Sequence, residues 1–319
     1  MTKYAAALSG LRILLRYLYA ANYQFVTPTP VTTQRVNRRN GNEIACDLAG
    51  VFGWNRPFHL ELLPRQLGRE LLENGVLSYD GELCKSHYRV SSLDSVLFVH
   101  SGFPTDEGDA VFFGPDTYRF VSSLFTIVPT LTNVRRVVDI GCGTGAGGLV
   151  IGRMLPKAQI TMVDINKEAL ECAALNAEEA GFTKFQFVES DLLGNVDGDF
   201  DLIVSNPPYL SDSLQRTYRH GGGARGESLS VKIVRTALDR LSPGGRLILY
   251  SGSAIIRGLD HLRSASLRAI EGSKHLLEYR EIDPDVFSEE LENEVYRDAD
   301  RIAAVLITIK KVSSNARPS

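Results

Sequence analysis

An Asn held in front of two prolines is a group in this chain whose type and setting can do chemistry. Residues 205–210 read Ser-Asn-Pro-Pro-Tyr-Leu and follow an apolar run, Asp-Leu-Ile-Val-Ser, with the character of a buried strand. Proline has no N–H and fixes φ, and a residue before proline is driven towards an extended conformation. Asn206-Pro207-Pro208-Tyr209 is therefore a rigid, non-helical corner. It fixes an amide, Asn206, and an aromatic ring, Tyr209, at a strand end, where they serve either as a site or as a tight exit from a sheet.

A second group lies upstream. Asp139-Ile-Gly-Cys-Gly-Thr-Gly-Ala-Gly-Gly148 follows a strand pattern and opens a helical one. That is where backbone N–H groups and a helix N-terminus meet a ligand at the carboxyl edge of an α/β sheet. Gly141, Gly143 and Gly145 permit close approach and positive φ. Gly141-x-Gly143-x-x-Ala146 also satisfies the dinucleotide fingerprint, so the loop alone leaves nicotinamide cofactors and S-adenosylmethionine both open. Nineteen residues after Gly145, Asp164 ends the next strand, where a carboxylate can accept from two ribose hydroxyls, or cap the helix that follows. Asp191 ends the third strand in the same layer, where it can accept from an adenine amine or cap a turn, the first being expected. Asp139 and Cys142 in the loop, with Ile165 and Leu192 beside the two carboxylates, are counted with this cofactor site.

The glycine loop, Asp164, Asp191 and Asn-Pro-Pro-Tyr, in that order, resemble the class I S-adenosylmethionine-dependent methyltransferases that act on planar nitrogens. These include N6-adenine, N2-guanine and HemK-type glutamine methyltransferases. The resemblance covers roughly residues 111–311. It leans to the HemK-type branch, because Pro115, Asp116 and Thr117 match that family's stretch ahead of the glycine loop. Gly114 and Tyr118 stand where the family carries Arg and Glu, so a divergent subgroup is expected.

The resemblance implies S-adenosylmethionine across Gly141, Gly143, Gly145, Asp164 and Asp191, reaching Asn206. It places the acceptor against Pro115, Asp116, Thr117 and Tyr209. The chemistry suits the residues. An amide or aromatic amine nitrogen has a delocalised lone pair, and the Asn206 and Pro207 carbonyls can accept its N–H hydrogens and free that pair. Tyr209 offers a stacking face. His220, beside Gly221, Gly222 and Gly223, reads equally as a mobile lid or as a solvated loop, and Arg225 as a group for one end of the substrate. The acceptor is expected to be a protein or peptide amide or a small molecule, with a nucleic-acid base ranked below both. An NAD(P)-dependent oxidoreductase would need a catalytic Tyr-Lys pair or a hydride-handling His. A nucleotide-sensing transcription factor would need a strongly basic recognition helix. Neither is evident.

These groups must be positioned by a parallel sheet. From Arg136 onward strand-like and helical runs alternate, the pattern of a doubly wound α/β domain with helices on both faces. Seven strands are expected, the last antiparallel, over residues 111–312. Residues 1–110 read as a smaller α+β recognition module, compatible with a winged helix. Within it Leu11, Leu14, Leu15 and Leu18 fall on one helical face, and 63–77 carries a second helix ending at Asn74-Gly75. An acidic, helix-like insertion is expected at 283–300, and a frayed tail at 313–319.

Composition sets the outer limits. The chain has 319 residues, 44% hydrophobic and 23% charged, with a formal net charge of −3. That argues against recognition of nucleic acid mainly through bulk charge while leaving room for a local basic patch, and residues 1–100 hold 11 Lys/Arg against 8 Asp/Glu. Arg35, Arg38 and Arg39 form the densest basic spot. Cys46, Cys84, Cys142 and Cys172 have neither disulfide nor zinc spacing, so reduced thiols, no metal, no membrane span and a cytoplasmic address are expected.

Overall fold

The computed structural model describes residues 2–312, so the expected tail at 313–319 lies outside the described residues. The amphipathic pattern at the start becomes α1 (Lys3–Ala20), with all four predicted leucines fully buried. α2 (Pro30–Asn37) starts on proline, where a missing N–H is harmless. α3 (Arg65–Glu73) ends at Asn74, and Gly75 follows with φ +67°. Four strands then make two antiparallel hairpins, β1 (Leu77–Asp80) with β2 (Leu83–Ser86) and β3 (Tyr88–Leu93) with β4 (Val96–Ser101). β3 and β4 are buried almost throughout rather than projecting as an exposed wing.

α4 (Pro115–Ile127) leads into the main sheet. In chain order come β5 (Arg136–Ile140), α5 (Ala146–Met154), β6 (Gln159–Asp164), α6 (Lys167–Glu179), β7 (Gln186–Glu189) and β8 (Phe200–Ser205). They are followed by α7 (Ser228–Arg240), β9 (Leu241–Ile256), the short β10 (Leu259–Asp260), α8 (His261–Ala269), β11 (Leu276–Asp283) and β12 (Arg301–Lys310). The sheet order is β11-β12-β9-β8-β5-β6-β7, with β10 folded back on β9. β5 through β9 pair in parallel, and β12 runs antiparallel to both neighbours. The chain is thus a doubly wound α/β protein with the seven expected strands.

Alternation along the strands sorts the cores. Val137, Leu202, Val204 and Ile248 face α4 and α5, whereas Val138, Ile203, Leu247 and Leu249 face α7 and α8. The chain order reverses between β5 and β8, and the crevice beyond the strand ends at such a switch is where open α/β sheets bind ligands.

The N-terminal segment is not a separate bead. Its core takes in Ala169, Cys172 and Leu175 of α6. Fully buried Asn176 accepts from the Val99 N–H at 2.9 Å and donates to the carbonyls of Val99, at 3.1 Å, and Thr144, at 3.0 Å. One side chain thereby ties β4 to the glycine loop. The insertion at 283–300 departs from the helical expectation. It contains two short 3₁₀ turns, Ser288–Glu292 and Glu294–Tyr296, joined through Asn293 in an extended conformation. Its polar groups are drawn into contacts with residues 211–225, which an uninterrupted helix would not allow. The Tyr296 hydroxyl accepts from Ser211 N–H and donates to the Arg225 carbonyl, and Glu290 pairs with Arg219.

Candidate active site at the carboxyl ends of the strands

The parallel strands deliver the predicted groups to one cavity of about 210 Å3 at the switch point. Asp139, Gly141, Cys142, Gly143, Asp164, Ile165, Asp191, Leu192, Asn206, Pro207 and Tyr209 all line it. So do Asp116 and Thr117 from the start of α4. Pro115, Gly145, His220 and Arg225 do not.

The loop geometry follows from its glycines. Gly141 and Gly143 have φ +69° and +54°, and a Cβ on either would point into open space, so the loop presents bare backbone to the cavity. Gly145 has φ +81° and N-caps α5; a Cβ there would stand 2.9 Å from Leu149 Cδ1. It shapes the turn without reaching the cavity wall. Four loop amides are already engaged: Gly141 and Cys142 donate to the Val163 carbonyl, Gly143 to Asp164 and Gly145 to the Cys142 carbonyl.

Asp164 accepts from Gly143 N–H at 3.0 Å and from Asn166 N–H at 2.9 Å. Asn166 itself caps α6, so Asp164 is not spent as the helix cap. Burial raises the Asp164 carboxyl above its ordinary range, and those N–H donors pull the other way. Asp139 sits behind the loop. It accepts from Gly148 N–H at 2.9 Å, and burial pushes its carboxyl up to about 7. Asp191 keeps an exposed position at the rim.

The Asn206 side chain makes no protein hydrogen bond among the described residues, so its amide is available to a ligand. Tyr209 is fixed from behind. Its ring lies where a Cβ on Gly252 would come within 2.2 Å of it. Its hydroxyl donates to Asp116 at 2.7 Å, while Tyr250 donates to the other oxygen of the same carboxylate at 2.6 Å. Arg119 joins Asp116, at 3.3 Å, to Asp283, at 3.0 Å. Burial raises the Asp116 carboxyl and the two hydroxyls work against that. Tyr250 went unnoticed in the sequence. A tyrosine in the apolar strand Leu-Ile-Leu-Tyr was the available signal, because a buried phenol needs a polar partner.

Two expectations are corrected. The segment 220–226 is a buttress, not a mobile lid. A Cβ on Gly221 would stand 2.0 Å from the Gly226 carbonyl oxygen and 2.7 Å from that of Pro208, and one on Gly226 would stand 2.1 Å from that of Tyr209. The glycines are there for backbone to lie against backbone. His220 accepts from Asp212 N–H, at 3.2 Å, through Nδ1, within the same folded loop. Arg225 reaches no substrate space, because its guanidinium is held by both oxygens of Asp298 at 2.7 and 2.9 Å.

Over the cavity, residues 216–219 meet the segment 103–112. Tyr218 donates to the Thr105 carbonyl, Thr217 N–H donates to that of Gly108, and the Tyr218 ring stacks on Phe112 with centroids 5.6 Å apart. Among the described residues no helix is long and apolar enough to cross a membrane, and no cluster of His, Cys, Asp or Glu is arranged to hold a metal.

Residues 120–255 match the family model described as methyltransferase small domain. A release factor glutamine methyltransferase from Deinococcus radiodurans is 40% identical over 36% of this chain and 44% of that protein. A ribosomal protein uL3 glutamine methyltransferase from Neisseria gonorrhoeae is 34% identical over 37% of this chain and 44% of that protein. A ribosomal RNA small subunit methyltransferase C from Haemophilus influenzae is 35% identical over 37% and 32%. The chain spans less than half the length of these three relatives. The family match falls on the α/β half that carries the cavity.

Proposed function

We propose that this protein uses S-adenosylmethionine to methylate a side-chain amide nitrogen of a polypeptide. The observation that carries the cofactor is the charge of the cavity. Its ionisable wall holds Asp116, Asp139, Asp164 and Asp191 against one guanidinium, Arg219; Asp116 is paired with Arg119 and burial pushes the Asp139 carboxyl up to about 7, so the negative charge facing a ligand rests chiefly on Asp164 and Asp191. A pyrophosphate-bearing dinucleotide would be repelled there, whereas a sulfonium is attracted. The bare backbone at Gly141 and Gly143 gives such a ligand room, and Asp164 and Asp191 supply acceptors for ribose and adenine. Bound there, the cofactor supplies a methyl group made electrophilic by its positive sulfur.

The rest is positioning by this chain. The Asn206 side-chain carbonyl and the Pro207 backbone carbonyl accept the two N–H groups of the substrate amide, which localises its lone pair. The two prolines hold these acceptors still, so they need no reorganisation at the moment of reaction. Tyr209, anchored by Asp116, gives the planar amide a face to lie on. As the N–C bond forms, the nitrogen becomes a strong acid and releases a proton without a dedicated base. The relatives named for glutamine methylation of a release factor and of uL3 favour an amide within a protein. A cytoplasmic address fits the exposed free thiol of Cys46.

The cofactor half of the proposal is checked by Asp164→Asn. A hydrogen bond to a charged group is worth about 1.5–3 kcal/mol, so S-adenosylmethionine affinity by calorimetry should fall about 10–100-fold. An unchanged affinity would remove Asp164 from the site. The acceptor is checked with methyl-labelled S-adenosylmethionine and a size-fractionated cell extract. Label in the macromolecular fraction that protease releases supports a polypeptide. Label released by nuclease, or found only in small molecules, overturns that assignment, and failure to bind the cofactor overturns the whole reading.

A further inference from the structure

The main sheet ends on one side at β11, which pairs only with β12. Among the described residues no backbone group of 276–282 bonds outside that ladder, so a row of N–H and C=O groups along β11 is open. We propose that a second copy of this chain pairs antiparallel with β11 across a two-fold axis at Tyr279, joining the two main sheets into one.

Charge selects both the occupant and the register. Glu278 and Arg280 are exposed and two residues apart, so they share a face, and neither has an ion pair or side-chain hydrogen bond among the described residues. Charges usually blunt a free edge, and a row of one sign would repel a second copy. Opposite signs two residues apart do the reverse. A two-fold axis perpendicular to the sheet keeps every residue on its own face, so the axis must pass through a residue rather than between two. With the axis at Tyr279, Glu278 faces Arg280 of the partner subunit and Arg280 faces Glu278 of the partner subunit. Both pairs attract. An axis at Glu278 or at Arg280 would set like charges against each other.

The apolar groups fit the same register. Leu276, 62% exposed, falls opposite Ile282 of the partner subunit, on the face that carries the charged pairs. On the other face Leu277 meets Glu281 of the partner subunit, and in each chain two guanidinium nitrogens of Arg301 already hold Glu281, at 2.9 and 3.0 Å. The Tyr279 hydroxyl donates to Asp260 at 2.7 Å, which brings the start of α8 over the centre of β11. Leu259, just before Asp260, is 64% exposed, and an axis at Tyr279 places it close to its own copy. The irregularity in the β11–β12 ladder between Glu281 and Asp283 ends the regular run there.

The pairing leaves both active sites open. β11 is antiparallel to β12 and β12 to β9, so β11 runs with the parallel strands and its carboxyl end lies at the edge that carries the reaction cavity. A copy paired antiparallel has its own cavity at the opposite edge. Asp283 closes β11 and pairs with Arg119, which holds Asp116 behind Tyr209, so the shared ladder stops one residue short of that support.

The test is sedimentation equilibrium of the full-length protein from dilute solution to its solubility limit. The unaltered protein should pass from one chain mass to two as concentration rises. Glu278→Arg alone, or Arg280→Glu alone, sets like charges in both symmetric pairs and should weaken association about tenfold or more. Neither should lower Tm, because both side chains are exposed. The double swap, Glu278→Arg with Arg280→Glu, restores both attractions and should return the original association constant. An equimolar mixture of the two single variants should also associate, because each chain then supplies the charge the other lacks. High salt should narrow all these differences. A protein that stays monomeric overturns the proposal. So does a dimer indifferent to the single changes, or a loss that neither the swap nor the mixture repairs.

Discussion

Replacing Asn206 by Ala should lower methyl transfer by about 10²–10³-fold while S-adenosylmethionine binds within a few-fold of the unaltered protein, by analogy with loss of one preorganised polar group that acts in the transition state. The asymmetry follows from what the side chain does. Asn206 brings an otherwise unengaged amide to the cavity, whereas Asp164 and Asp191 stand on other strands and keep their acceptors. Hydrogen bonds from the substrate N–H groups to Asn206 strengthen as the nitrogen acquires positive charge, so their loss appears in kcat more than in KM. Single-turnover transfer to the polypeptide acceptor, beside calorimetry with the cofactor, separates the two effects. Comparable losses of cofactor affinity and transfer would recast Asn206 as a cofactor ligand. A wild-type rate would remove it from the mechanism.

The parts of the site that sequence made legible share a physical cause. Parallel strands all end on one edge, so groups that follow successive apolar runs must meet in space. Gly141, Asp164, Asp191 and Asn206 could therefore be assigned to one place without coordinates. α1 was equally readable, because four leucines at helical spacing leave only one face to bury. What stayed hidden depends on pairings across long stretches of chain. Asp116 gathers Tyr209 from 93 positions away and Tyr250 from 134, and no local pattern encodes that. Arg225 looked free for a substrate only because Asp298, its partner, lies in an insertion whose path could not be traced. The acidic run at 283–300 read as helical from its composition, yet Tyr296 and Glu290 draw it into two short turns against the active-site loop.

Glycine was the most misleading residue, because the same run can mean freedom or close contact, and one substitution tells these apart. In a mobile lid, Gly226→Ala would be tolerated. In the structure Gly226 has φ +94°, and a Cβ would sit 2.1 Å from the Tyr209 carbonyl oxygen and 2.5 Å from its carbon. Both atoms are backbone of the corner that presents Asn206, so neither a rotamer change nor water can absorb the clash. Strained backbone of this kind costs about 1–3 kcal/mol, and the corner must shift to accommodate it. A displacement near 1 Å in the groups that position a substrate lowers rate about 10²-fold. Gly226→Ala should therefore lose transfer at least that far, with a lower Tm and with cofactor binding at Asp164 retained. Gly222→Ala is the matched control, since a Cβ there meets only Ser228 Cβ, at 3.7 Å, although its φ of +69° carries backbone strain of its own. If both variants lose stability equally and neither loses more activity than stability explains, close packing behind Tyr209 is not what holds the corner. If only Gly226→Ala loses transfer, the glycine-rich segment is the support against which the Asn-Pro-Pro-Tyr corner is set.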